Sequence, residues 1–157
     1  MALAIAIIRI LLVALSIFLG IFFLPDIAKS IDIILLLAVA VIGILSFFSH
    51  VVFHKADAKR LGWESERPDW QFEVGFANLA IGLVALVAYI FAWNLMAKSG
   101  IVLIYGVYLL QAAILHTIRA VQKHDNDVQH LFMSVFSALA FSGFLIFFAI
   151  YSILLLE

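Results

Sequence analysis

The sequence predicts an all-α integral membrane bundle of five transmembrane helices, a single transmembrane domain over residues 1–157. Three observations predict it. The chain of 157 residues is 67% hydrophobic and 12% charged, with a mean hydropathy of +1.23, and a soluble domain of that size cannot cover so much apolar surface. The apolar residues form five runs, at about 2–24, 31–54, 71–97, 100–122 and 128–156. Each run reaches the length of about 20 residues that a helix needs to cross hydrocarbon. The strongly polar residues gather at one side of these runs. Helices are required, because five apolar segments cannot close a barrel and lipid offers the backbone no water partner.

The elements follow in order. The first run has no basic n-region and continues to Leu24, too long for the core of a signal peptide, so it reads as a span. Pro25 and Asp26 separate it from the second run. The second run continues through the charged stretch from Lys55 to Arg60 and stops at Gly62. Pro68 and Asp69 restart the chain, with Asp69 placed to cap the third helix. Ser99 and Gly100 read as a tight turn into the fourth helix, and Asp125, Asn126 and Asp127 separate the fourth from the fifth. Trp63, Trp70 and Trp93 fall at the expected membrane interfaces.

The loops set the orientation. Lys55, Lys59, Arg60, Arg67, Arg119 and Lys123 lie on one side, against Lys29 and Lys98 on the other. The positive-inside rule then puts the N-terminus in the cytoplasm and the C-terminus outside, in a multi-pass protein of the cell membrane. The formal net charge is −1 and there is no basic tract, so nucleic acid is not an expected partner. The chain has no cysteine, which excludes disulfides, thiol catalysis and thiolate metal sites.

Helical projection, about 100° per residue, sorts the polar residues into seams. The second helix aligns Gly43, Ser46, His50, His54 and Asp57, and the fourth aligns Tyr105, Tyr108, His116, Arg119 and Lys123. The third offers two faces, one with Glu73, Ala77 and Ala80, the other with Gly75, Asn78, Gly82, Ala85 and Tyr89. All five histidines, together with Arg9, Glu73 and Asn78, lie in the cytoplasmic half. Charge inside a bilayer is costly and turns toward partners. The expected site is therefore a cytoplasm-facing pocket of Arg9, His50, His54, Glu73, Asn78, His116 and Arg119. Arg9 and Glu73 are expected to pair. Glu73 and Asn78 are about 140° apart on an ideal helix, so a pocket holding both must wrap around the third helix. The bland readings are a helix-dipole role for Glu73, snorkelling for Arg119 and close packing for Gly75, Gly82 and Ala85.

His50, His54 and Asp57 form the sharpest local pattern, since spacings of four and three put them on one helix face. His50 and His54 are candidate metal ligands, with His116 or Glu73 from another helix as the third. A haem between His50 or His54 and His116 is the other cofactor the residues admit. The five histidines are too few for a membrane di-iron oxygenase, and no phosphate loop, nucleophile elbow or zinc-protease motif is present.

Gly62-Trp63, followed by Trp70-Gln71-Phe72-Glu73-Val74-Gly75-Phe76-Ala77-Asn78-Leu79, resembles a family of small, uncharacterised prokaryotic integral membrane proteins. Their signature is Gly-Trp, a short Pro-containing linker, then Phe-Gln-x-Glu-Val-Gly-x-Ala-Asn-Leu. Trp70-Gln71 stands here where Phe-Gln is expected. The resemblance implies a multi-span membrane protein and a shared role for Glu73 and Asn78, with no settled activity to carry over.

Three functional readings follow. The first is a pocket that binds or transports a small ligand, an ion or protons, with a homo-oligomer or larger membrane complex completing the pathway. The second is a membrane enzyme or redox subunit with a histidine-bound metal or haem. The third is a structural subunit whose polar residues only lock helices together.

Overall fold

The computed structural model describes residues 2–61, 67–122 and 128–156; the side chains of residues 2, 60–61, 119–122 and 128–134 lie outside that description. Helix α1 covers Ala2–Phe22. A turn at Pro25 follows, and the Asp26 carboxylate caps the next helix by accepting the Lys29 backbone N–H at 3.1 Å. From there α2 (Ile27–Ile33), a π-helical stretch (Ile34–Val41), α3 (Ile42–Phe47) and a second π-helical stretch (Phe48–Val52) form one continuous span, Ile27–Val52. A break at Phe53 leads into the short α4 (His54–Leu61). Helices α5 (Asp69–Ile90), α6 (Leu95–Gln122) and α7 (Val128–Leu154) complete the chain. Among the described residues, five helices are long and apolar enough to cross a membrane.

The span Ile27–Val52 is the centre of the bundle. Half of its most apolar window is buried, against about a tenth for α1. It packs against α1, α5, α6 and α7, and Ile31, Ile34, Leu35, Ala38 and Val39 have no exposed surface. Neighbouring spans run antiparallel. A Cβ on Gly43 would lie 2.6 Å from the Asn78 carbonyl oxygen and 3.0 Å from the Gly82 Cα, so the central helix and α5 touch backbone to backbone. The buried face of α5 is Gln71, Gly75, Asn78, Gly82, Ala85 and Ala88. This is the small-residue face of the sequence analysis, and it is a packing seam.

The third turn differs from expectation. The chain reverses at Phe91–Asn94, where Ala92 has φ 48°, and the Asn94 side chain caps α6 by accepting the Ala97 N–H at 2.9 Å. Ser99 and Gly100 lie inside α6. Ser99 is buried and its hydroxyl donates to Ser152 of α7 at 2.9 Å. One residue earlier, Lys98 Nζ lies 2.6 Å from Asp32 Oδ1 of α2. At α5, Pro68 takes the cap position and Asp69 is the first helical residue. The expected stop at Gly62, Trp63 and the Asp125 to Asp127 separator lie outside the described residues.

Candidate functional site

The C-terminal end of the central helix is built from wide π turns. Such turns are rare and displace the side chains that follow from the face an α-helix would give them. The backbone N–H of Phe53 donates to the Phe48 carbonyl at 2.9 Å, a five-residue step. Phe53 then leaves helical geometry, with φ −107° and ψ 24°. The α4 segment returns beneath the span, and this brings Asp57 back to His50. His50 Nδ1 lies 3.1 Å from Asp57 Oδ2, with the His50 side chain 17% exposed and the Asp57 side chain 1%. Asp57 holds a further contact besides.

The Asp57 carboxylate beside Nδ1 orients the ring as an ion-pair partner. His50 Nε2 makes no hydrogen bond with any described residue. It is therefore placed to accept a proton or a donor from outside the pair. Gly75 of α5 makes room for the ring, since a Cβ there would lie 3.3 Å from the His50 Cβ and 2.5 Å from the Val51 Cγ2. One turn away on the same face, Gln71 is buried and its Nε2 has no hydrogen-bond partner.

His54 stands apart from this pair. Its Nδ1 lies 3.0 Å from the Val51 carbonyl, and its ring meets Phe72 edge-on at 5.2 Å. The single face expected for His50, His54 and Asp57 is thus split: His50 and Asp57 meet, and His54 turns to its own backbone. The π turns and the break at Phe53 cause the split.

Deeper in the bundle, Asn78 joins α5 to α6. The Tyr105 hydroxyl donates to Asn78 Oδ1 at 3.0 Å. Asn78 Nδ2 donates to the Tyr108 hydroxyl at 3.0 Å and to the Val74 carbonyl at 2.8 Å. Both amide hydrogens and the amide oxygen are used. Ser46 of the central helix, whose hydroxyl donates to the Ile42 carbonyl at 2.8 Å, stands beside the Tyr105 hydroxyl. Arg9 of α1 is half-buried and close enough for its charge to act on that hydroxyl.

The remaining expected site residues lie elsewhere. Glu73 is exposed, on the side of α5 opposite Gln71 and Gly75, and it makes no ion pair with Arg9. The central helix packs between α1 and α5, which keeps the two charges apart. His116 is exposed on α6 and has a contact of its own. The Arg119, His124 and His130 side chains lie outside the described residues. Among the described residues, no three His, Cys, Asp or Glu side chains gather closely enough to hold a metal ion, so His50, His54 and His116 are not brought to one point.

The sequence reading passed over two features. Gln71 belongs to the buried face, at a spacing of four before Gly75 that was available in the sequence. A second polar region lies at the N-terminal end of the central span, where Lys29, Asp32 and Tyr89 line a cavity of about 290 Å³ with Leu19, Ile33, Leu36 and Leu37.

Five apolar spans, four of them around one central helix, define a multi-pass integral membrane bundle. The chain belongs to the Family of unknown function (DUF6790), whose profile matches residues 1–153, in agreement with the resemblance to an uncharacterised family. No curated protein and no solved structure matches it.

Proposed function

We propose that this protein binds or passes protons, or a small polar solute that carries them, through a polar site at the cytoplasmic end of the central helix. His50 is the exchanging group, Asp57 orients it, and the buried Gln71 is the further polar group at that end of the helix. The N-terminus is cytoplasmic in this reading, and the protein lies in the cell membrane. One observation carries the proposal: a buried carboxylate lies 3.1 Å from Nδ1 of a largely buried imidazole. Histidine is the side chain suited to proton exchange near neutral pH.

The outer end supports a pathway rather than a closed pocket. The cavity at Lys29, Asp32 and Tyr89 lies at the opposite end of the same helix. Buried Ile34, Leu35, Ala38 and Val39 separate the two polar regions, as a barrier would. Five spans are few for a complete carrier, so the protein works as an assembly with itself. Asn78 serves as a helix lock in this account, because its amide is fully used within the bundle.

A thermal-stability screen in detergent tests the reading. A ligand that binds the folded state raises its melting temperature. The wild type is expected to respond to pH, or to one class of small ions or solutes, and His50→Gln is expected to lose that response. Identical responses in the two proteins contradict the proposal.

A further inference from the structure

The exposed stripe of α6 runs Ile104, Val107, Gln111, Ile114 and Ile118, at spacings of three and four. Any lipid-facing stripe of a helix shows such spacings. The polar side chain at its middle is what sets this one apart. Gln111 is exposed, and its amide makes no hydrogen bond with any described residue. The span runs Leu95–Ile118, so at about 1.5 Å per residue Gln111 lies about 7 Å from its midpoint. The hydrocarbon boundary is about 15 Å from the middle of a bilayer. A glutamine side chain, shorter than the lysine and arginine that snorkel, does not reach it. Left against lipid tails, the amide would lose every hydrogen bond it can make.

We infer that a second copy of this chain packs on the Ile104–Val107–Gln111–Ile114–Ile118 stripe, with Gln111 paired to Gln111 across a two-fold axis. An amide is its own complement, since each copy donates one N–H to the carbonyl oxygen of the other. A two-fold axis along the membrane normal puts the two residues at one depth. Three- and four-residue spacing with one polar position is the arrangement that fixes register in helix pairs. The flanking isoleucines and valine supply the packing that associates helices in lipid. The inference rests on the self-association proposed above. It does not use the His50–Asp57 pair.

The chain has no cysteine, so each introduced one is unique. Val107→Cys and Ile114→Cys proteins, oxidised in native membranes, are expected to give disulfide-linked dimers. Leu11→Cys on α1 and Phe147→Cys on α7, exposed on other faces, are expected to give far fewer. Gln111→Leu is expected to weaken the dimer about 3- to 30-fold in lipid, measured by fluorescence transfer between labelled copies, while Gln111→Asn keeps most of the affinity. Equal cross-linking at all four positions, or an unchanged dimer in Gln111→Leu, overturns the inference. A dimer that persists when His50→Gln abolishes the pH or solute response separates the two proposals; a dimer lost in Gln111→Leu with the response intact does so from the other side.

Discussion

Asp57 lies seven residues beyond His50, yet its carboxylate approaches the His50 Nδ1 to 3.1 Å across the break at Phe53. The contact joins the end of a span to the short helix after it, so it holds α4 against the bundle as well as orienting the ring. Removing one partner leaves the other buried group without its complement, which costs more than removing both.

The first prediction concerns that coupling. His50→Ala is expected to lower stability by about 1–3 kcal/mol. In an Asp57→Asn background the same change is expected to cost clearly less. Chemical or thermal unfolding in detergent, arranged as a double-mutant cycle, gives the coupling energy. Additive losses would remove the pair from the account.

The Asn78 network makes unequal predictions for its two tyrosines. Tyr105→Phe takes away the donor to Asn78 Oδ1 inside the bundle, an expected loss of about 1–2 kcal/mol. Tyr108→Phe is expected to cost less, because Asn78 Nδ2 keeps its bond to the Val74 carbonyl. Melting curves of the two variants check the order.

Two glycines separate close contact from open space. Gly43→Ala would put its methyl group 2.6 Å from the Asn78 carbonyl oxygen, and backbone cannot yield cheaply, so the central helix and α5 must move apart. A Cβ on Gly143 meets nothing within 4 Å, so Gly143→Ala is expected to be neutral or to stabilise by up to about 1 kcal/mol through helix propensity. Equal melting temperatures for the two variants would contradict the packing described.

These contrasts show what was legible beforehand. The number and order of the spans are written in hydropathy, because lipid admits little else than long apolar helices. The small-residue face of α5 was legible from its spacing. The turn at Phe91–Asn94 was not: Ala92 gives no signal of its positive φ, while Ser99 and Gly100 imitate a turn and instead pack Ser99 against Ser152. The π turns were also hidden, since the run from Ile34 to Val41 is uniformly apolar. A projection that assumed α-helical geometry therefore put His54 beside His50. Glu73 shows the same limit, because sequence offered two faces of α5 and only backbone contact at Gly43 and Gly82 shows which one is buried.

The Lys98–Asp32 ion pair is asymmetric, and so is its prediction. Lys98 is 8% exposed as a residue, while the Asp32 side chain is 38% exposed. Asp32→Ala strands a buried ammonium, whereas Lys98→Ala leaves a carboxylate that water reaches. Asp32→Ala is expected to cost about 1–3 kcal/mol and Lys98→Ala less than about 1. Unfolding measurements at low ionic strength check the order.

Proton movement through reconstituted protein tests the central claim most directly. Liposomes enclosing a pH-sensitive dye, driven by an imposed membrane potential, report it as a rate. The wild type is expected to move protons well above empty liposomes, alone or on adding the solute that stabilises it. His50→Gln and Asp57→Asn are expected to lose most of that rate while remaining folded, and Gly143→Ala to keep it. Rates for His50→Gln and Asp57→Asn equal to that of the wild type would contradict the account.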